Sequence, residues 1–289
     1  MTNKQIVNKG YTMSSIAFIG GGNMASCIIG GMIANGFSAQ DIIVSEPGDE
    51  SRLSLENTYG VTTLTDNQAA AKQADLIVLA VKPQIMRSVA IDLAPALGAT
   101  SVAVSIAAGI PLGALQTWLG ADTAIVRAMP NTPAMLLAGA TGLFGNQQVD
   151  RSQRELVQKI FQAIGYTCWV EIEAQIDAVI AVSGSGPAYF FRIIEIMQKV
   201  GQELGLPEEI ARELSLQTAL GSARMATESG TGATELREQV TSPGGTTQAA
   251  LNTFEQLDLE ATFREAMRSA LNRAEEMAID FSAQHELGN

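Results

Sequence analysis

A single histidine, His285, stands near the C-terminal end of this chain, and its isolation removes several mechanisms at once. Ser-His-Asp and Cys-His hydrolysis need an imidazole base, and His-rich zinc sites need several imidazoles, so none of these is expected and no metal is assigned. Cysteine is almost as scarce, with Cys27 and Cys168 the only two. They cannot build a disulfide framework and they suit a reducing compartment, which makes the cytoplasm the expected location. Positive charge is short as well: 18 Lys and Arg stand against 30 Asp and Glu, a formal charge of −12. Such a chain repels polyphosphate, and no basic patch offsets the repulsion, so no nucleic-acid partner is expected. Long apolar runs are also missing. Leu76 to Val81 and Ile176 to Val182 fall well below the ~20 residues that cross a bilayer, so neither a transmembrane segment nor a membrane partner is expected. The chemistry must then rest on hydroxyls, backbone donors, carboxylates, lysine or a bound cofactor.

What the chain has in quantity is apolar residues, 46% against 17% charged, enough to bury a substantial core. At 289 residues it exceeds one average domain, and two are expected. Residues 1–12 carry Lys4 and Lys9 without the apolar segment of a signal peptide, and Met13 stands where a start residue would. They read as a disordered extension, a mis-set start or a tag.

From Ser15 to Ile19 a short apolar run meets Gly20-Gly21-Gly22-Asn23-Met24-Ala25, after which Met24, Ile28 and Met32 recur at helical spacing. This is a strand, a glycine turn and a helix ending at Asn35-Gly36. Further strands follow at 42–44, 61–64, 76–81, 102–106 and 125–129, separated by helical stretches, with two more near 141–144 and 167–170. Such alternation predicts βαβ units and a mainly parallel sheet with right-handed crossovers. After Glu173 the pattern turns helical, and the expected boundary lies there: a Rossmann-type α/β domain over 1–173 and an all-helical domain over 174–289. Helices are expected from Pro187 through Glu203, from Pro207 through Met225 and from about Glu260 to Phe281. The last carries Phe263, Met267, Ala270, Leu271, Ala274 and Met277 on one face, which suggests pairing with a second subunit. Thr241 to Thr247 reads as a loop feeding a helix N-terminus.

Gly20-x-Gly22-x-x-Ala25, placed directly between a strand and a helix, is the Gly/Ala variant of the dinucleotide turn. Gly20 permits the tight turn, Gly22 the approach of backbone to pyrophosphate, and Ala25 close helix packing; the alternative is a purely structural turn. Glu46 follows the second strand, where an acid holds the ribose 2′-hydroxyl of NAD and repels the 2′-phosphate of NADP. Arg52 lies close behind and offers a phosphate a cation instead, so both nucleotides stay open, as does a plain turn with a solvated arginine. Lys82 and Pro83 end the fourth strand at the carboxyl edge where ligands of open parallel sheets bind, although Lys82 also suits a surface charge. Met129-Pro130-Asn131-Thr132-Pro133 occupies a corresponding edge, as a rigid loop beside the nicotinamide or as a structural turn. Cys27, with no histidine base, reads as a small buried residue.

Together with Ala80-Val81-Lys82-Pro83, the turn Phe18 to Met24 and the loop Met129 to Pro133, two segments give the chain a resemblance. Ser183-Gly184-Ser185-Gly186-Pro187-Ala188-Tyr189 and Thr241-Ser242-Pro243-Gly244-Gly245-Thr246-Thr247 stand in an order and spacing that resembles the pyrroline-5-carboxylate reductase family. The likeness runs from Ile16 to the final helix. It implies an NADPH- or NADH-binding Rossmann domain, a helical domain that dimerises and in some members builds rings of dimers, and reduction of a cyclic imino acid. By the same likeness Asn67 and Ala80 to Pro83 contact the cofactor, while Gly245, Thr246 and Thr247 surround the substrate; Gly20, Gly22, Asn23, Met24, Ser45, Glu46, Arg52 and Asn131 are expected at the cofactor site as well, and Val240 at the substrate. Glu46 replaces a small hydroxyl residue of some relatives, which implies a narrowed preference for NADPH with both cofactors still binding.

In that picture Thr247 is the chemical centre: backbone donors of the turn hold the substrate carboxylate, and the hydroxyl meets the ring nitrogen. Alternatively Thr247 merely caps a helix. Two competing readings of the chain remain. A β-hydroxyacid dehydrogenase shares the layout but needs a lysine on the first long helix of the second domain, where Lys199 stands well beyond the Ser183 to Pro187 turn. A non-catalytic nucleotide sensor needs only the Gly20 to Ala25 turn.

Overall fold

The computed structural model describes residues 15–283, so the expected disordered extension at residues 1–12 and His285 lie outside it. The chain begins β1 (Ile16–Ile19), α1 (Asn23–Ala34), β2 (Ile42–Ser45), α2 (Asp49–Tyr59), β3 (Thr62–Leu64), α3 (Asn67–Ala71), β4 (Leu76–Leu79), α4 (Pro83–Leu93), β5 (Val102–Ser105) and α5 (Leu112–Leu119). It continues with β6 (Ala124–Met129), β7 (Gly139–Gly145), α6 (Arg151–Gln162) and β8 (Gly165–Trp169). The eight strands form one sheet in the order β3-β2-β1-β4-β5-β6-β7-β8. All neighbours are parallel except β6 and β7. Their connection, residues 130–138, is shorter than the dozen or so residues a parallel crossover needs, so the strand must return antiparallel.

β1, β2, β4 and β5 are buried along their whole length, which is why they read as unbroken apolar runs instead of alternating ones. Successive residues feed opposite layers. Ile16 and Phe18 pack with Ile28 and Met32 of α1 and Val157 and Phe161 of α6. Ala17 and Ile19 pack with Met86 and Ala90 of α4 and Leu115 of α5 on the other face. Each of the large side chains among them, fully removed from water, contributes about 1.5–3 kcal/mol, and the alanines less.

After β8 the chain is helical: α7 (Ala174–Val179), a π-helical turn (Ile180–Gly184), α8 (Gly186–Glu203), α9 (Glu208–Glu228), α10 (Ala233–Gln239), α11 (Thr246–Gln256) and α12 (Leu259–Ala283). α10 lacks apolar periodicity and is a helix the sequence did not suggest. Two compact units result, one running through Gly184 and resuming at Leu271, the other Ser185–Ala270. In the first, the C-terminal half of α12 returns to the α/β body: Ala274 is buried, and a Cβ on Gly109 would meet Met277 at 2.9 Å. Ala274 and Met277, expected on the face that pairs with a second subunit, are thus at least partly buried within the chain itself.

The second unit is built differently, because only Gly186, Ala211 and Ser215 are buried in it. α8 and α9 approach through small residues, with a Cβ on Gly201 only 3.2 Å from that of Ala211. Large apolar side chains face outward: Phe190, Ile193, Met197, Val200 and Leu204, spaced three and four apart, form an exposed stripe along α8. Within Ala174–Glu203 an 18-residue stretch of mean hydropathy 1.2 is long and apolar enough by length and composition to cross a membrane, a test that the core helices of globular proteins also pass. Polar residues interrupt its apolar run without ending the helical stretch, so it is longer than any unbroken apolar run of the sequence.

Candidate active site

β1 and β4 are neighbours, with β2 on the other side of β1, so the strand order reverses between β1 and β4 and opens a crevice at the carboxyl edge of the sheet. The glycine turn occupies that edge. Gly20 has φ +98°, and a Cβ there would stand 2.8 Å from the Ala80 carbonyl oxygen, so only glycine fits. Its N–H donates to the Ser45 carbonyl at 2.8 Å, and the Ala80 N–H donates to Ile19 O at 2.8 Å, which fixes the turn between the ends of β2 and β4. Gly22 is the N-cap of α1, carries no side-chain cap, and has open space where its Cβ would be. The first helical bond runs from the Ser26 N–H to Gly22 O, which leaves the amides of Asn23, Met24 and Ala25 ahead of it. An open cradle of N–H groups at the positive end of a helix dipole fits the pyrophosphate of a dinucleotide.

At the end of β2, Ser45 is buried and donates its hydroxyl to Asn67 Oδ1 at 2.7 Å. Glu46 turns back toward the glycines: its Oε2 accepts the Gly21 N–H at 2.8 Å and its Oε1 the Gly48 N–H at 3.1 Å. Arg52 does not extend into solvent. Its Nη1 donates to the carbonyls of Glu46 at 2.8 Å and Pro47 at 2.9 Å, and its Nη2 pairs with Asp49.

Val81 follows β4, Lys82 is the exposed N-cap of α4, and Pro83 is its first residue. After β6, the Asn131 side chain is committed at both ends. Its Nδ2 donates to Ser183 O at 3.0 Å and its Oδ1 accepts the Ala140 N–H at 2.9 Å, joining the start of β7 to the π turn. Burial raises the Cys27 thiol above its ordinary pKa, which suits a structural role.

An ionic cluster nearby has no local signal in the sequence, because its cation, Arg127, lies far along the chain from its two acids, Glu173 and Asp177. Arg127 of β6 is buried and donates to Glu173 Oε1 at 2.6 Å, an oxygen that also accepts the Leu112 N–H. Asp177 of α7 reaches Arg127 only at 3.5 Å. Burial raises the Asp177 carboxyl above its ordinary value, Arg127 pulls the other way, and Glu173 adds to the rise. Among the described residues no group of three or more His, Cys, Asp or Glu is placed to hold a metal ion.

In the helical unit, the second predicted site lies at the start of α11. Gly244 has φ +71°, the Gly245 N–H donates to Ser242 O at 2.9 Å, and Gly245 is the N-cap without any side-chain cap. Thr246 and Thr247 are therefore the first two helical residues, and Thr247 is not the cap. Val240 ends α10. A cavity of about 540 Å³ opens beside the loop, lined by Arg237, Glu238, Thr241, Glu255, Asp258 and Glu260 among others. With four carboxylates to one guanidinium it repels an anionic substrate, and neither Gly245 nor Thr247 lines it.

Comparison with known proteins agrees in both halves. Residues 173–277 match the pyrroline-5-carboxylate reductase dimerisation family, and residues 15–109 match the NADP oxidoreductase, coenzyme F420-dependent family. A pyrroline-5-carboxylate reductase of Pseudomonas aeruginosa is 48% identical over 91% of this chain and 96% of its own length. The solved pyrroline-5-carboxylate reductase of Coxiella burnetii is 44% identical, covers 92% of this chain and 98% of its own, and superposes with a TM-score of 0.89. The Plasmodium falciparum pyrroline carboxylate reductase with NADP bound is 30% identical, covers 93% of this chain and all of its own, with a TM-score of 0.82. With likeness of this extent running through the glycine turn, the sheet and the helical unit alike, the chain belongs to the pyrroline-5-carboxylate reductase family.

Proposed function

We propose that the chain reduces the cyclic imine of 1-pyrroline-5-carboxylate to L-proline, the last step of proline biosynthesis, with NADPH or NADH as donor. The observation that carries this reading is the uncapped start of α11, where Gly245 leaves the first amides of the helix free beside two threonines. An anionic substrate needs such donors in a chain of net negative charge. When bound, the nicotinamide supplies the hydride.

The chain's own residues bind and orient. The amides of Asn23 and Met24, reached past Gly20 and Gly22, would hold the pyrophosphate. Ser45 with Asn67, and Ala80, Val81, Lys82 and Pro83, would line the nucleotide along the strand ends, while Asn131 would hold the loop beside the nicotinamide. The Thr246 and Thr247 amides, at the uncapped helix start behind Gly245, would fix the substrate carboxylate, with Val240 against the ring. The Thr247 hydroxyl, not used as a cap, would hydrogen-bond the ring nitrogen as it becomes basic; a neutral hydroxyl is a weak acid, so orientation outweighs acid catalysis. Lys199 lies on exposed α8 far from its first turn, so nothing favours the hydroxyacid dehydrogenase.

The functional division falls, in this reading, at Glu173, where the dimerisation match begins. The α8 stripe is covered by a second copy and not by lipid, and dimers can assemble further into rings. Two free cysteines suit a cytoplasmic location. The decisive assay follows NADPH and NADH oxidation with pyrroline-5-carboxylate. Oxidation of neither would refute the reductase, and binding of cofactor without binding of proline would favour the sensor.

A further inference from the structure

We infer that the turn between β2 and α2 selects a dinucleotide with a free ribose 2′-hydroxyl, NADH over NADPH, with Glu46 as the discriminating residue and Arg52 as a positioning residue instead of a phosphate ligand. The inference rests on the nucleotide site proposed above and deepens it. Its starting point is that both oxygens of the Glu46 carboxylate are oriented by backbone N–H groups, Gly21 at 2.8 Å and Gly48 at 3.1 Å. A carboxylate has about four lone-pair sites, so these two bonds aim the group and leave it able to accept from hydroxyl donors. Gly21 belongs to the pyrophosphate turn itself, so the acid is tied to the nucleotide cradle. A ribose diol at that edge gives hydrogen bonds to the carboxylate. A 2′-phosphate gives a second anion beside it.

The cation that would relieve that repulsion is engaged elsewhere. Arg52 spends Nη1 on the carbonyls of Glu46 and Pro47 and Nη2 on Asp49, and its side chain is only 19% exposed. Freeing it for a phosphate would break three contacts and leave two turn carbonyls without their donor. By holding those carbonyls, Arg52 shapes the very turn that presents Glu46. The start of α2 is no better suited to phosphate. Asp49 and Glu50 occupy its first turn and already answer the positive end of the helix dipole.

The test is equilibrium binding to the intact enzyme, read as quenching of intrinsic fluorescence, with NADH and NADPH and with AMP and adenosine 2′,5′-bisphosphate as nicotinamide-free probes. The wild type should bind NADH at least about tenfold more tightly than NADPH, and AMP more tightly than the bisphosphate, since like charges placed together suppress the wrong partner. Glu46→Ser should erase the difference, and Glu46→Gln, which keeps the shape without the charge, should move it the same way. Arg52→Ala should weaken NADH binding at least as much as NADPH binding, with Arg52→Lys restoring little because one ammonium cannot reproduce the forked bonds. Equal or tighter binding of NADPH by the wild type overturns the inference, as does an Arg52→Ala protein that loses affinity for the 2′-phosphorylated ligands alone. Failure of the reductase reading would look different: the binding ratios would stand while neither cofactor reduced the imine.

Discussion

Thr247 is the second residue of α11 and sits behind a glycine cap, so truncating it removes a hydroxyl without removing a cap. Thr247→Ala should lower kcat roughly tenfold or more with the melting temperature nearly unchanged; a folded variant with full turnover would show that the hydroxyl is idle. Asp177 makes a second residue-level claim. Its folded pKa is raised, first by burial, so over the interval between the unfolded and folded values the folded state holds the extra proton. Stability from this group therefore falls as pH rises through that interval. Asp177→Asn should gain melting temperature relative to the wild type at pH 7 and gain less at pH 4. The reverse order would mean that attraction to Arg127 outweighs desolvation. Both positions mark what the sequence could and could not tell. The uncapped threonine was visible as a Gly-Gly-Thr-Thr loop before a helix, whereas the Arg127 cluster and the capture of Arg52 depend on which carbonyls and carboxylates the fold brings within reach.

At the level of elements, the central strands β1, β2, β4 and β5 were legible because each is buried along its whole length and reads as a bare apolar run, and the alternation of strands with helices announced the parallel order. The reversal of β7 was not legible, since it follows from a short connection and not from composition. Nor was the π turn at Ile180–Gly184: a register shift within a helix changes which carbonyls are paired, and no residue type encodes it. One carbonyl of that turn, Ser183 O, is the one Asn131 takes up. The α8–α9 pair supplies a test of packing. Its close approach at Gly201 leaves a Cβ only 3.2 Å from that of Ala211, tighter than an ordinary contact, so the bulkier Gly201→Leu should cost about 1–3 kcal/mol in urea denaturation of the whole protein. An unchanged midpoint would show that the helices separate freely.

For the molecule as a whole, a unit whose buried residues are a glycine, an alanine and a serine cannot hold itself together by its own core. Sedimentation should find a dimer at low micromolar concentration, and its melting temperature should fall on dilution as mass action requires. Placing glutamate at Phe190 and Met197 together should yield monomer with little activity and no flotation with liposomes; an active, stable monomer would refute the dependence on a second copy. The return of α12 to Gly109 has a further consequence, for the order in which the chain can mature on the ribosome. Everything up to Gly184 is translated before the helical unit, yet the segment that closes over Gly109 is made after it. A nascent α/β body must wait, with an apolar surface uncovered, until the intervening helices have left the exit tunnel.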